Sequence, residues 1–165
     1  VHLQYFLTLL FRKQGFRPGQ LPILDRALIN QPVIGLLPTG GGKSLTYQIA
    51  AILQPGITMI VDPLTSLMKD QYDGLISNGI DFCTFINSTV SSSEKRLRER
   101  KMEASQMLFV FLSPERLSIL NFRERLRRMH DYNVYFSYGV IDEVHCVSDW
   151  SHVFRFWNLH LGRNL

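Results

Sequence analysis

Short apolar runs alternate with longer amphipathic stretches along the chain. Runs of about five apolar residues between turn-forming residues predict buried strands, whereas apolar residues at every third or fourth position predict helices. The predicted strands cover residues 33–37, 58–62, 82–86, 108–112 and 138–142, and the predicted helices cover residues 3–11, 20–29, 43–53, 66–78, 92–105 and 114–129. This alternation predicts an α/β fold with a mostly parallel central sheet flanked by helices in three layers.

The first helix is predicted from the spacing of its apolar residues, Leu3, Phe6, Leu7, Leu10 and Phe11. Such spacing is typical of a helix that packs on a core. The run is too short to span a membrane, and no small-residue cleavage site follows it. We therefore expect no membrane partner.

The composition is that of one folded domain over residues 1–165. Hydrophobic residues make up 45% of the chain and aromatic residues 12%, which excludes a disordered protein. Cys83 and Cys146 are far apart and form no C-x-x-C pair, which favours a reducing compartment over a zinc site. The net charge is only +4, but ten of the eighteen Lys and Arg residues lie between positions 91 and 130. That concentration indicates either a solvated helix face with ion pairs or a nucleic-acid surface.

A glycine-rich turn joins the first predicted strand to a helix at residues 36–44, Leu-Leu-Pro-Thr-Gly-Gly-Gly-Lys-Ser. Consecutive glycines let backbone N–H groups approach phosphate oxygens, and the helix that follows points its positive end at them. In this pattern Lys43 reaches the β- and γ-phosphates, and the Ser44 hydroxyl holds Mg²⁺. Leu37 stands where the full phosphate-loop pattern has its first glycine, so a plain strand-to-helix turn is the alternative.

The last predicted strand ends in two adjacent carboxylates, Asp142 and Glu143, about a hundred residues after the glycine turn. Because ligands of α/β sheets bind at the carboxyl ends of the strands, both acids are expected beside the Mg²⁺ position. Asp142 would hold the metal through water, and Glu143 would orient or deprotonate the attacking water. The two motifs together predict a nucleoside triphosphatase.

Six segments, in chain order, resemble motifs of the RecQ family of DNA helicases, which belongs to superfamily two. They are similar to the adenine-recognition motif (16–20), the phosphate loop (37–44), two motifs that contact one DNA strand (62–71 and 112–117), the D-E-x-H box (142–145) and the aromatic-rich loop (146–155). The resemblance covers essentially the whole chain. It implies a RecA-like domain that binds ATP and Mg²⁺.

The resemblance also implies the members of the nucleotide site. The nucleotide-binding residues would be Phe16, Arg17, Gln20, Thr39, Gly40, Gly41, Gly42, Lys43 and Ser44; the catalytic residues Lys43, Asp142, Glu143 and His145; and the metal-binding residues Ser44 and Asp142. The Gln20 amide suits the N7/N6 edge of adenine, with helix capping as the alternative. His145 would link the nucleotide site to DNA, with a purely structural role as the alternative.

DNA contacts are implied at two places. Pro63, Leu64 and Ser113 would contact the phosphates of one strand, and Trp150, Phe154 and Arg155 would stack on single-stranded bases. The alternatives are ordinary strand-to-helix turns and core packing. The family's loop usually reads Trp-Gly-His-Asp-Phe-Arg, whereas this chain places Ser151 at the glycine and Val153 at the aspartate. The departure removes a carboxylate and restricts the loop backbone.

The implied function is that of a motor domain. It would couple ATP hydrolysis to 3′-to-5′ translocation on single-stranded DNA and to unwinding of partly duplex DNA, together with a second RecA-like domain outside this chain. Because that second domain supplies an arginine finger, we expect the chain alone to bind ATP and Mg²⁺ but to hydrolyse ATP very slowly.

The expected location is intracellular: the nucleoid-associated cytoplasm of a bacterium or the nucleus of a eukaryote. Two other function classes remain open. One is a DEAD-like RNA helicase or another nucleic-acid-stimulated ATPase. The other is a degenerate nucleotide-binding module without DNA coupling. A small-molecule kinase is disfavoured because no lid or acceptor site is evident.

Overall fold

The computed structural model describes residues 2–146, and within them one parallel sheet carries the fold. Its strands are β1 (Ile57–Val61), β2 (Cys83–Ile86), β3 (Phe109–Leu112) and β4 (Phe136–Ile141), in the order β2-β3-β1-β4. The helices are α1 (His2–Phe11), α2 (Gln20–Leu28), α3 (Lys43–Ile52), α4 (Thr65–Ser77), α5 (Ser92–Glu103) and α6 (Leu120–Asp131), and short 3-10 segments cover Pro114–Ser118 and Val144–Cys146.

Helices cover both faces of the sheet. On one face, α5 and α6 pack against alternate strand residues, in a cluster that includes Met59, Val61, Val110, Leu112, Met102, Phe122 and Leu126. On the other face, α3 and α4 pack against the intervening residues, in a cluster that includes Ile60, Phe109, Phe111, Ala51, Met68 and Leu75. Strands that are buried on both faces need continuous apolar runs, as this sequence has. The predicted three-layer α/β fold is confirmed.

Helices α1 and α2 lie outside α3. Leu7 and Phe11 of α1, Leu24 of α2 and Ile49 of α3 are buried together. The predicted packing of the first helix is therefore confirmed. Within the described part of the chain, no helix is both long enough and apolar enough to cross a membrane.

The register of the sheet brings the carboxyl ends of the strands level. Val61 of β1 pairs with Leu112 of β3 and Ile141 of β4, and Leu112 in turn pairs with Ile86 of β2. The residue that follows each strand is polar and buried: Asp62, Asn87, Ser113 and Asp142. The sheet thus presents a row of polar side chains along one edge.

The predicted strand at residues 33–37 is wrong. The segment takes no part in the sheet, and Ile34 and Leu36 are 90% and 89% exposed. Pro32 lacks an N–H and Gly35 interrupts the run, and both features weaken a strand ladder. Gly35 instead lies close against α2. A cleft of about 600 Å³ lies between this segment and β4.

The single helix predicted over residues 114–129 is also wrong, since two elements share that range. A 3-10 segment covers Pro114–Ser118, Ile119 has extended backbone, and α6 begins at Leu120. Leu117 and Phe122 are both buried in the same core cluster, one on each side of the break. The apolar spacing therefore continues through the break and hides it.

A buried ion-pair network ties α5 to α6 and to the preceding 3-10 segment. Glu99 accepts from Arg116 and lies 3.3 Å from Arg125, which also lies 2.6 Å from Glu103. The Glu99 side chain is only 8% exposed. Arg128 pairs with Glu103 as well. These arginines belong to the basic stretch at positions 91–130, and they form ion pairs within the domain.

Replacing Glu99 tests how much this network stabilises the fold. Glu99→Ala leaves the guanidinium of Arg116 buried without its partner, and breaking a buried pair in this way typically costs about 3 kcal/mol. We expect a loss of that size in the free energy of unfolding, measured by urea titration. As a matched control, Asp73→Ala removes the exposed partner of Lys69 and should cost less than about 1 kcal/mol. Equal losses would contradict a stabilising role of the network.

Candidate functional site

The glycine turn and the strand-terminal acids meet through one ion pair. Lys43 is the first residue of α3, and its Nζ lies 2.8 Å from Glu143 Oε1. His145 Nδ1 lies 3.4 Å from the other oxygen of the same carboxylate. Asp142 accepts from the Glu143 backbone N–H at 2.9 Å. The predicted catalytic residues Lys43, Asp142, Glu143 and His145 thus lie together.

The glycine turn has the backbone of an anion cradle. Gly40 and Gly42 have φ of +72° and +76°, and a Cβ at Gly41 would lie 2.8 Å from the carbonyl oxygen of Pro38. Helix α3 starts directly after the turn, so its N-terminal N–H groups and the positive end of its dipole face the same space. Thr39 is exposed, and Ser44 is half-buried in the first turn of α3. These features fit a bound phosphate group.

The segment predicted to recognise adenine is bound to the glycine turn. Gln20 is 1% exposed; its Oε1 accepts from the Arg17 N–H at 2.7 Å, and its Nε2 donates to the carbonyl oxygens of Gly41 and Gly42 at 3.1 and 3.0 Å. The Arg17 guanidinium donates to the carbonyl oxygen of Gly40. Side-chain capping of α2 by Gln20 is excluded, because the N-cap position holds Gly19.

Phe16 belongs to the same segment but packs into the core. It lies against the cluster of Leu7, Leu24 and Ile49 beneath α1 and α2. The ring therefore anchors the chain that carries Arg17 and Gln20. The structure thus places this ring, predicted to bind nucleotide, among apolar neighbours of the core.

Asp62 is an acid at this edge to which the sequence assigned no chemical role. It is fully buried; Oδ1 accepts from the Leu64 N–H at 2.8 Å, and Oδ2 has no hydrogen-bond partner within residues 2–146. Burial, followed by the negative charges of Asp142 and Glu143, raises the pKa of Asp62 to about 6.

The residues predicted to contact DNA differ in exposure. Pro63 is half-buried and Leu64 is 42% exposed directly after β1, whereas Ser113 is 1% exposed after β3. The hydroxyl oxygen of Ser113 has no hydrogen-bond partner in the described residues. Trp150, Phe154 and Arg155, together with Ser151 and Val153, lie outside the described residues.

The donors at the site suit a magnesium ion that is shared with phosphates. Residues 2–146 contain no cluster of three or more His, Cys, Asp or Glu side chains that could hold a metal by themselves. Mg²⁺ is usually bound by one or two carboxylates together with substrate phosphates and water. A carboxylate at Asp142 and a hydroxyl at Ser44, beside a phosphate cradle, are of the types that this mode requires.

The comparison with known proteins agrees with this geometry. A family model described as DEAD/DEAH box helicase matches residues 17–161. The chain belongs to this helicase family. Membership implies nucleotide binding, typically with a divalent metal ion.

Curated relatives of this helicase chain carry RecQ-type names. It is 36% identical to "ATP-dependent DNA helicase RecQ" of Pasteurella multocida over 90% of this chain and 23% of that protein. It is 40% identical to "ATP-dependent DNA helicase Q-like 5" of Arabidopsis thaliana over 93% of this chain and 16% of that protein. The chain thus spans less than a quarter of the length of these relatives. The resemblance to RecQ helicases is confirmed.

Two side chains near Asp142 were missed by the sequence interpretation. Gln71 donates to Asp142 Oδ2 at 3.3 Å, and the Tyr47 hydroxyl contacts Gln71. Gln71 is the last residue of the segment 62–71, and Tyr47 lies one helical turn after Lys43. In the sequence, only their positions near these motifs could have pointed to the site, because neither a tyrosine nor a glutamine indicates a nucleotide site by itself.

Comparing alanine substitutions at Gly40 and Gly42 separates the energetic cost of backbone strain from the stabilisation that the Gln20 hydrogen bonds provide. Both Gly42→Ala and Gly40→Ala place a side chain at positive φ, which costs about 1 kcal/mol. Only at Gly42 would the new Cβ meet the Gln20 amide, at 2.5 Å, whereas nothing lies within 4 Å of a Cβ at Gly40. Displacing that amide breaks its hydrogen bonds, so Gly42→Ala should lower the free energy of unfolding by about 1 kcal/mol more. Equal losses in urea titrations would show that Gln20 does not stabilise the turn.

The raised pKa of Asp62 predicts a pH-dependent stability. The folded state binds the Asp62 proton more tightly than the unfolded state does. The stabilisation that this proton gives the fold is therefore complete below about pH 4 and is lost as the pH rises through about 6. Asp62→Asn should therefore flatten the fall in unfolding free energy between these pH values. Asp25→Asn, at an exposed acid of α2, is the control. An unchanged slope for Asp62→Asn in urea titrations at several pH values would contradict the assignment.

Proposed function

We propose that this chain is the ATP-binding motor domain of a RecQ-like DNA helicase. The observation that carries the proposal is the contact of Lys43 with Glu143, which joins the glycine turn to the acidic pair across 100 positions of sequence. In a plain strand-to-helix turn, nothing would require a buried acidic edge beside that lysine. The family membership and the names of the relatives support the same conclusion.

The nucleotide would be bound at the glycine turn. Backbone N–H groups at the start of α3 would bind the phosphates, and Lys43 would exchange its contact with Glu143 for the β- and γ-phosphates. Mg²⁺, held by Ser44 and by Asp142 through water, would neutralise charge on those phosphates. Arg17 and Gln20 donate hydrogen bonds to three backbone carbonyls of the turn. Adenine bound beside these two side chains would therefore affect the position of the glycine turn that binds the phosphates.

Hydrolysis would depend on Glu143. Once Lys43 contacts phosphate, Glu143 Oε1 loses that contact and can accept from a water molecule, so the carboxylate can orient the water and take its proton. His145 Nδ1 lies 3.4 Å from the second oxygen of this carboxylate. We infer that movement of His145 on DNA binding would couple the nucleotide site to DNA.

We also propose how this domain acts on DNA. The chain would bind single-stranded and partly duplex DNA through Pro63, Leu64 and Ser113, and through Trp150, Phe154 and Arg155, and would move 3′ to 5′ with a second RecA-like domain. Without the arginine finger of that domain, worth roughly 10³ to 10⁵ in rate, the chain alone would hydrolyse ATP very slowly. Names that include "DNA helicase" among the relatives favour DNA over RNA, and hence an intracellular location.

Calorimetric titration of this chain with a non-hydrolysable ATP analogue and Mg²⁺ tests the proposal. We expect saturable binding that Lys43→Ala weakens at least a hundredfold, because the charge that faces the phosphates is lost. Lys69→Ala removes an exposed lysine of α4 and is the matched control, which should leave the affinity within about twofold. Gln20→Ala should reduce the preference for adenine over guanine nucleotides.

Two outcomes would contradict the proposal. A folded chain that binds no nucleotide at millimolar concentration would exclude the nucleotide site in this chain. Equal affinities of the Lys43→Ala and Lys69→Ala variants would place the nucleotide elsewhere. Circular dichroism of each variant shows whether it is folded, so that a loss of binding is not confused with a loss of structure.

A further inference from the structure

Side chains from α3, from α4 and from the residue after β4 form a hydrogen-bonded series that ends on Asp142. The Tyr47 hydroxyl on α3 contacts Gln71 Oε1 on α4, and Gln71 Nε2 donates to Asp142 Oδ2 at 3.3 Å. Tyr47 and Gln71 are half-buried, and Asp142 is 8% exposed. The series therefore crosses from the helix after the glycine turn to Asp142 without passing through Lys43 or Glu143.

The direction of each hydrogen bond follows from the charges nearby. Burial, followed by the negative charges of Asp142 and Asp62, raises the pKa of Tyr47 well above its usual value. The hydroxyl therefore stays protonated and donates to the amide oxygen of Gln71. With its oxygen turned to Tyr47, the amide presents its NH₂ group to the carboxylate. The opposite amide orientation would place a carbonyl oxygen against a negatively charged oxygen.

Both oxygens of Asp142 are consequently held. Oδ1 accepts from the Glu143 N–H at 2.9 Å, and Oδ2 accepts from Gln71. A carboxylate that is bound at one oxygen can still rotate, whereas one bound at both has a fixed plane. Outer partners of this type commonly orient metal-binding carboxylates.

We propose that Gln71, oriented by Tyr47, is the positioning residue for Asp142 and thereby sets the affinity for metal-bound nucleotide. The inference rests on the proposed function, because it assumes that Asp142 holds Mg²⁺ beside a bound nucleotide. Neither Tyr47 nor Gln71 would contact the metal. Their effect on the nucleotide is therefore expected only when the metal is present.

A double-mutant cycle with two metal conditions tests the inference. Affinity for a non-hydrolysable ATP analogue is measured in Mg²⁺ and in EDTA for the unaltered chain, Gln71→Leu, Tyr47→Phe and the double variant. Gln71→Leu should weaken binding about tenfold in Mg²⁺ and less than twofold in EDTA, since a hydrogen bond to a charged group is lost. Tyr47→Phe should weaken it about threefold in Mg²⁺, and should add nothing in the Gln71→Leu background.

Tyr72→Phe is the matched control, because it removes a hydroxyl from the neighbouring position of α4, where the ring packs edge-on against Phe85. It should leave both affinities unchanged. Urea unfolding without nucleotide shows whether each variant is folded. If Gln71→Leu does not fold, the metal-dependent effect of Tyr47→Phe alone decides the inference.

The outcomes separate this inference from the proposed function. Equal weakening in Mg²⁺ and EDTA, or additive effects of Tyr47→Phe and Gln71→Leu, would overturn the positioning role and leave the proposed function intact. Mg²⁺-dependent binding that neither variant alters would do the same. Absence of Mg²⁺-dependent binding by the unaltered chain would overturn both.

Discussion

The described strands run in one direction and end at one level, and this register positions the acidic residues of the site. Because Val61 pairs with Leu112 and Ile141, the residues that follow β1 and β4 come to the same edge. Side chains alternate between the two faces of a sheet, so a slip of one residue between β1 and β4 would reverse the side chains of β4. Asp142 would then lose its position near α3 and α4. The pairing of apolar residues inside the sheet thus fixes the place of the acids outside it.

Three carboxylates lie at the carboxyl edge of the sheet, and neighbouring groups partly offset the unfavourable energy of burying their charges together. Burial raises the pKa of Asp62, and Asp142 and Glu143 lie close enough for their negative charges to raise it further. Glu143 is paired with Lys43, and Asp142 accepts from two N–H donors. Asp62 accepts only one hydrogen bond among the described residues. An edge with three carboxylates beside one contacting lysine is electrostatically suited to a bound cation, which supports the proposed magnesium site.

The sequence was sufficient to predict which motifs meet, because parallel strands share their carboxyl edge. The acidic pair was expected beside the glycine turn on that ground. The structure joins the two through Lys43 and Glu143, although the strand predicted before the turn is not part of the sheet. The strand predicted at residues 33–37 was wrong because an apolar run does not specify its hydrogen-bond partner. The segment instead lies beside α2 at Gly35, with Ile34 and Leu36 exposed. The break at Ile119 was missed because the apolar spacing continues through it.

Hydrogen bonds between distant side chains could not be predicted in the same way. Tyr47 and Gln71 both lie on amphipathic helices, where a polar residue near the core edge is ordinary. Their role depends on the distance between α3 and α4 and on the direction of one amide, and neither quantity leaves a pattern in sequence. Asp62 was visible as a residue of a motif, but its burial follows from the register of β1 in the sheet.

The backbone of Glu143 links these contacts to conformational energy. Its φ of +46° lies in the left-handed region, which costs a residue with a side chain roughly 1 to 2 kcal/mol. Within residues 2–146, its neighbours include the Lys43 ion pair, His145 Nδ1 at 3.4 Å, and Asp142, which accepts its N–H. If a phosphate takes Lys43 away, the ion pair is lost and the balance at Glu143 shifts. The exchange proposed for nucleotide binding would then also make Glu143, the residue proposed to orient water, easier to move.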